Sequence, residues 1–184
     1  MTVYATPDEL RNRLRALGDD DTDQTLTELL EDATAVIDDE VGQPLTLAET
    51  TVTVDGSGAE KLLLPRWPVT AVAEVVEVDL DGTERPLTHG VDYTWSQSGV
   101  LTRLRRCWPC HDQAVRVTLT AGYDAEALAR RVRRICLRLA IAGRRNPAGA
   151  DSEDIGDSRI RWNTPGMELT TGELRVLARY AVRP

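Results

Sequence analysis

Ile37-Asp38-Asp39-Glu40-Val41-Gly42-Gln43-Pro44 is soon followed by Thr50-Thr51-Val52-Thr53-Val54-Asp55-Gly56-Ser57-Gly58, and the fold is decided by what changes between them. The first stretch completes an apolar series, Leu26, Leu30, Ala33, Ile37 and Val41, at helical spacing. Gly42 and Pro44 then stop the helix. In the second stretch valines alternate with threonines at period two before a turn at Asp55–Gly58. A helical segment therefore hands over to a β-segment near residue 48.

Upstream, Thr6-Pro7-Asp8-Glu9 predicts a helix start, with Thr6 as cap, Pro7 in the first helical position and Glu9 closing a capping box. Leu10, Leu14 and Leu17 share its apolar face, and Gly18 ends it. The acidic run Asp19–Asp23 leads into the second helix and places negative charge at its N-terminus. Residues 1–48 thus read as a helical hairpin.

Downstream, short strands follow one another: 61–64, 69–80, 83–87, 91–95, 100–104 and 115–119, with turns at Asp81-Gly82 and Ser98-Gly99. Six or seven such strands over residues 49–123 predict a small antiparallel sandwich or open barrel. Asp124 is expected to cap a third helix running to about Arg144. Leu128, Val132, Ile135, Cys136 and Leu139 form its apolar stripe, and Arg130, Arg131, Arg133, Arg134 and Arg138 lie mostly off it. Residues 146–169 show neither period and read as a long loop. Thr170-Thr171-Gly172-Glu173 then opens a last short helix carrying Leu174, Leu177 and Tyr180. The expected fold class is α+β, a helical bundle from residues 1–48 and 124–184 with a β-module inserted.

Composition limits the function. The hydrophobic share of 41% supports a core, and the charged share of 28% excludes a wholly disordered chain. No apolar run approaches a membrane span. The start Met1–Asp8 has neither the basic flank nor the apolar stretch of a signal peptide, so the chain is expected to stay in the compartment where it is made. Charge is unevenly placed. Residues 1–60 hold 15 acids and 3 bases, residues 61–123 hold 7 of each, and residues 124–184 hold 8 acids and 12 bases. An acidic start and a basic end suit head-to-tail contact between copies of one chain, or two separately solvated faces. In the first case Arg130, Arg134 and Arg138 would meet the acidic hairpin of a neighbouring copy. The acidic total and the absence of a nucleic-acid reading module speak against sequence-specific DNA binding.

No catalytic arrangement is readable. His89 and His111, the only histidines, lie in no nucleophile or metalloprotease signature, and Gly56 and Gly58 lack the Lys-Ser/Thr of a phosphate loop. Cys107-Trp108-Pro109-Cys110-His111 has the C-x-x-C-H text of a c-type haem site. It falls between two strands, with no export signal, and reads as a connecting loop. Haem attachment, dithiol redox chemistry, or zinc held with Cys136 are the alternatives. No cofactor is expected. Within residues 146–169, Ile155, Ile160, Trp162 and Met167 are too apolar for a plain linker. They are expected to order against neighbouring subunits.

Several strings carry a resemblance. Tyr4-Ala5-Thr6 with Leu10, Leu29-Leu30-Glu31-Asp32-Ala33 to Ile37, and Gly42-Gln43-Pro44 come first, then Val52–Gly58, Leu62-Leu63-Leu64-Pro65 and Pro68-Val69. Trp108-Pro109, Val117–Tyr123, Asn146-Pro147 and Ser152–Asp157 follow. In this order the chain resembles the head–tail connector (adaptor) proteins of long-tailed bacteriophages and gene-transfer agents. The resemblance implies a structural protein made in the host bacterial cytoplasm and built into the virion neck. It would form a ring, usually of twelve copies, under the portal protein. That ring would continue the channel for double-stranded DNA and receive the next neck (stopper) or tail protein. An acidic chain suits a channel that does not grip DNA. Cys107, Cys110 and His111 match no family role.

Overall fold

The computed structural model of the chain describes residues 3–15, 21–124, 128, 130–147, 152–155, 158–161 and 166–181. It is an α+β fold that divides into two compact units, residues 1–44 with 126–183, and residues 45–125.

The first unit holds the helices α1 (Pro7–Arg15), α2 (Asp23–Val41), α3 (Arg130–Arg145) and α4 (Thr171–Leu177). The capping box expected at Thr6–Glu9 and the helix stop expected at Gly42 form. Thr6 Oγ1 accepts from the Glu9 N–H, and Glu9 returns a carboxylate to the Thr6 N–H at 3.0 Å. Thr22 caps α2, and Gly42, at φ 75°, ends it in the left-handed conformation that glycine adopts without strain. Leu10, Leu14, Leu26, Leu30, Ala33, Ile37 and Val41 are buried with Val132, Ile135, Cys136 and Leu139 of α3. Each fully buried leucine contributes on the order of 1.5–3 kcal/mol. Leu17 and Gly18 lie outside the described residues.

α3 begins at Arg130, not at Asp124. Tyr123 still donates its N–H to the Leu45 carbonyl and accepts from the Leu47 N–H, so the chain there belongs to the β-unit. The segment read as an aperiodic loop contains a β-hairpin, β8 (Ser152–Ile155) antiparallel to β9 (Ser158–Arg161), with Asp154 opposite Arg159. Ser-Glu-Asp-Ile and Ser-Arg-Ile-Arg have little apolar alternation, so backbone pairing leaves almost no trace in hydropathy.

The second unit is a sandwich. β1 (Ala48–Val54), β7 (Val115–Ala121), β3 (Val69–Val78) and β4 (Glu84–Pro86) form a four-stranded antiparallel sheet in that order. β2 (Lys61–Leu63), β6 (Val100–Arg103) and β5 (Tyr93–Trp95) form a three-stranded one. Alternate residues of β7, Val115, Val117, Leu119 and Ala121, are buried against Leu62, Tyr93 and Leu101 of the smaller sheet. The period-two valines of the sequence are the inner face of this sandwich.

Candidate functional site

α3 sorts its residues by the helical period. Val132, Ile135, Cys136, Leu139 and Ala140 turn inward, and arginines occupy the opposite side. Some of these arginines are held within the chain. Arg133 pairs with Glu9 at 3.4 Å, and Arg144 with Asp21 at 2.8 Å. Arg138 makes a two-pronged contact with Glu173, Nε to Oε1 at 2.5 Å and Nη2 to Oε2 at 2.8 Å, and Nη2 also donates to the Glu168 carbonyl. Arg130, Arg131 and Arg134 are exposed and have no ion-pair partner among the described residues.

Glu173 has two tasks. It closes the capping box of α4 by accepting from the Thr170 N–H at 2.9 Å, and it receives Arg138. Burial pushes its pKa up, but the Thr170 and Arg138 hydrogen bonds outweigh that, and the net shift is downward. The last helix is thereby tied to α3 by charge as well as by the burial of Leu177.

Between α1, α3 and α4 lies an open groove of about 580 Å³. Arg13, Arg131, Arg134 and Arg138 line it, and Ile135, Ile141 and Val176 supply its apolar part. α2 has the opposite character. It holds no basic residue, and Glu28, Asp32, Asp39 and Glu40 are exposed.

The structure thus brings Arg130, Arg134 and Arg138 to one side of α3, with Arg138 already engaged by Glu173 and Glu168. Met167 is half-buried over Gly143 of α3. Its side chain fills the space a Cβ at position 143 would need. Ile155 and Ile160 sit in β8 and β9, and Trp162 lies outside the described residues.

Cys107–His111 is stapled to the turn after β1. The Trp108 N–H donates to the Ala59 carbonyl, the Gly58 N–H to the Pro109 carbonyl and the Gly56 N–H to the His111 carbonyl, at 2.8–3.0 Å. Trp108 is buried in the sandwich core. Cys107 and Cys110 are exposed free thiols, Cys136 is buried in the helical unit, and His111 Nδ1 lies 3.0 Å from the Asp112 carbonyl. Among the described residues no three of His, Cys, Asp and Glu gather as a metal site.

The sequence matches the family described as head completion protein, HCP, over residues 7–134. The chain belongs to the head completion protein family. No curated protein matches it. Among solved structures it is similar to a chain from the neck of an empty gene transfer agent (GTA) particle computed with C6 symmetry, with TM-score 0.64 and 19% identity over 97% of this chain and 89% of that one. A chain from the neck of the native particle computed with C12 symmetry gives TM-score 0.63 and 18% identity over 96% and 88%. A chain from the virion of the native particle gives TM-score 0.64 and 19% identity over 97% and 89%. The family match and the shared fold agree with the resemblance drawn from the sequence.

In this member of the head completion protein family, sequence reading locates the α3 arginines but misses the groove. Arg13, Ile141, Val176 and Glu173 come from three helices, and no local pattern announces that they meet. The one available signal is Glu173, whose capping-box position next to an arginine-rich helix suggests a partner for it.

Proposed function

We propose that this member of the head completion protein family is a structural subunit of the neck of a tailed-phage-like or gene-transfer-agent particle. Copies form a ring beneath the portal protein, continue the DNA channel, and receive the next neck or tail protein. The observation that carries this reading is the fold likeness to chains of particle necks along 96–97% of the residues, joined to a family match over most of the chain. The separately placed acidic and basic faces support it, because a ring needs two different complementary surfaces on each copy. Arg130 and Arg134 of α3, and the segment carrying Ile155, Ile160 and Trp162, are the parts of this chain we assign to contacts with neighbours. Arg138 and Met167 contribute by holding α4 and residue 143 in place. DNA passes without sequence-specific contact.

The test is deletion of the gene in the producing particle, with electron microscopy of the lysate. Capsids without tails, converted to complete particles by the gene supplied in trans, are expected. Complete particles in the deletion strain would overturn the reading.

A further inference from the structure

The exposed faces of α2 and α3 have matching length and opposite charge. On α3, Arg130, Arg134, Arg138 and Ile141 follow one another at one-turn spacing on the side opposite the core. On α2, Glu28, Asp32, Ala35 and Asp39 take a matching set of one-turn steps, also opposite the buried Leu26, Leu30, Ala33 and Ile37. Each row runs along about 16 Å of helix. α2 and α3 turn their apolar stripes into one shared core, so the two charged rows face away from each other and cannot meet within one chain.

We infer that the basic groove between α1, α3 and α4 receives the acidic face of α2 from a second copy of this chain. The inference rests on the ring reading above and names the surfaces that join the copies. Two observations carry it. Arg13, Arg131 and Arg134 line the groove without an ion-pair partner among the described residues, and Asp32, Asp39 and Glu40 are equally without one. The groove has an apolar part, Ile135, Ile141 and Val176, which suits a helix face bearing the half-buried Ala35 and Val36 better than a phosphate backbone. Because donor and acceptor faces differ, each copy uses one to bind the copy ahead and the other to bind the copy behind. The contact repeats around a ring.

The test uses the full chain and sedimentation velocity or mass photometry across a concentration series at low and high salt. Arg131→Glu with Arg134→Glu, and separately Asp32→Arg with Asp39→Arg, should each raise the concentration needed for assembly about tenfold or more, while far-UV circular dichroism stays unchanged. All four changes in one chain exchange the charges of both faces and should restore assembly, as should an equimolar mixture of the two double variants. Wild-type assembly should weaken with salt. Double variants that assemble like the wild type would overturn the groove assignment and leave the ring reading standing. Weakened assembly without restoration by the exchange would show that the two faces do not pair. Retention of a DNA duplex of about 30 bp that is lost in Arg131→Glu/Arg134→Glu, with assembly unchanged, would assign the groove to DNA instead. A wild-type chain present in purified particles as a single copy would overturn the ring reading itself.

Discussion

Arg103 Nε donates to Glu77 Oε1 at 2.9 Å inside the β-sandwich, where both side chains are almost wholly buried. The same guanidinium donates from Nη1 to the Asp92 carbonyl at 2.6 Å and lies 5.6 Å from the centroid of the Trp108 ring. Arg85 pairs with the other oxygen of Glu77. This charge is tolerable in the core because Nε and Nη1 each have a partner and Glu77 supplies the opposite charge.

Removing one member should therefore cost more than removing both. Arg103→Met leaves Glu77 with Arg85 alone and should destabilise the chain by about 3 kcal/mol, the low end for breaking a buried pair. Arg103→Met with Glu77→Leu should recover a large part of that loss. Urea unfolding followed by tryptophan fluorescence measures both. A double variant as unstable as Arg103→Met, or more so, would contradict the account.

Gly56 tests the loop that carries the two exposed cysteines. A Cβ at position 56 would fall on the Pro109 carbonyl, and backbone cannot move aside as a side-chain tip can. Gly56→Ala should cost about 1–3 kcal/mol, the range for overpacking. Gly82→Ala has open space but strained backbone at φ 82° and serves as a comparison for conformational cost alone. If Gly56→Ala proves as stable as the wild type, the loop is not seated on this turn.

The legible parts of the fold are those where burial follows a period. Leu26 to Val41 and Val115 to Leu119 face a core on one side only, so their spacing names the element. Caps are legible too, since Thr6–Glu9 and Thr170–Glu173 act through neighbours in sequence. The hairpin at 152–161 is not, because Ser-Glu-Asp-Ile and Ser-Arg-Ile-Arg hold one isoleucine each, too few to show a period of two. The start of α3 is misplaced in the sequence reading because Asp124 is a good cap by type, whereas the preceding Tyr123 is held by Leu45 and Leu47, far away in sequence. Of the candidate surface, the α3 arginines are visible, but their sorting into engaged and free depends on Glu9, Asp21 and Glu173 arriving from outside α3.

The three thiols should separate by reactivity. Burial pushes the Cys136 thiol up to about 11, despite the opposing hydrogen bond from Thr34, and leaves it without thiolate or access at neutral pH. Cys107 and Cys110 are exposed. A thiol reagent at about pH 8 should modify two groups quickly in the native chain and the third only after denaturant is added. Cys107→Ser with Cys110→Ser should change stability by no more than about 0.5 kcal/mol, the usual range for surface positions. Fast modification of Cys136 in the native state would show that the helical core opens readily.

Glu173 makes the docking of α4 sensitive to acid. Its pKa in the folded chain lies below the ordinary glutamate value of about 4.3, because the hydrogen bonds from Thr170 and Arg138 outweigh the effect of burial. A carboxylate whose folded pKa is depressed adds stability that is fully present above the unfolded pKa. That stability is lost as pH falls through the folded one. Glu173→Gln keeps the shape but gives up the charge on both contacts, and should cost about 1.5–3 kcal/mol at pH 7, the range for hydrogen bonds to charged groups. The gap between wild type and variant should hold above the ordinary glutamate range and shrink as the pH falls through the depressed folded pKa, since the wild-type carboxyl then becomes progressively neutral as well. Hydrogen exchange of the Leu174–Leu177 amides should follow the same course, with protection in the wild type falling in acid to the level of the variant. A gap that stays constant across this acid range would mean that the charge of Glu173 contributes nothing. In that case α4 would be held by the burial of Leu177 and its remaining hydrogen bonds.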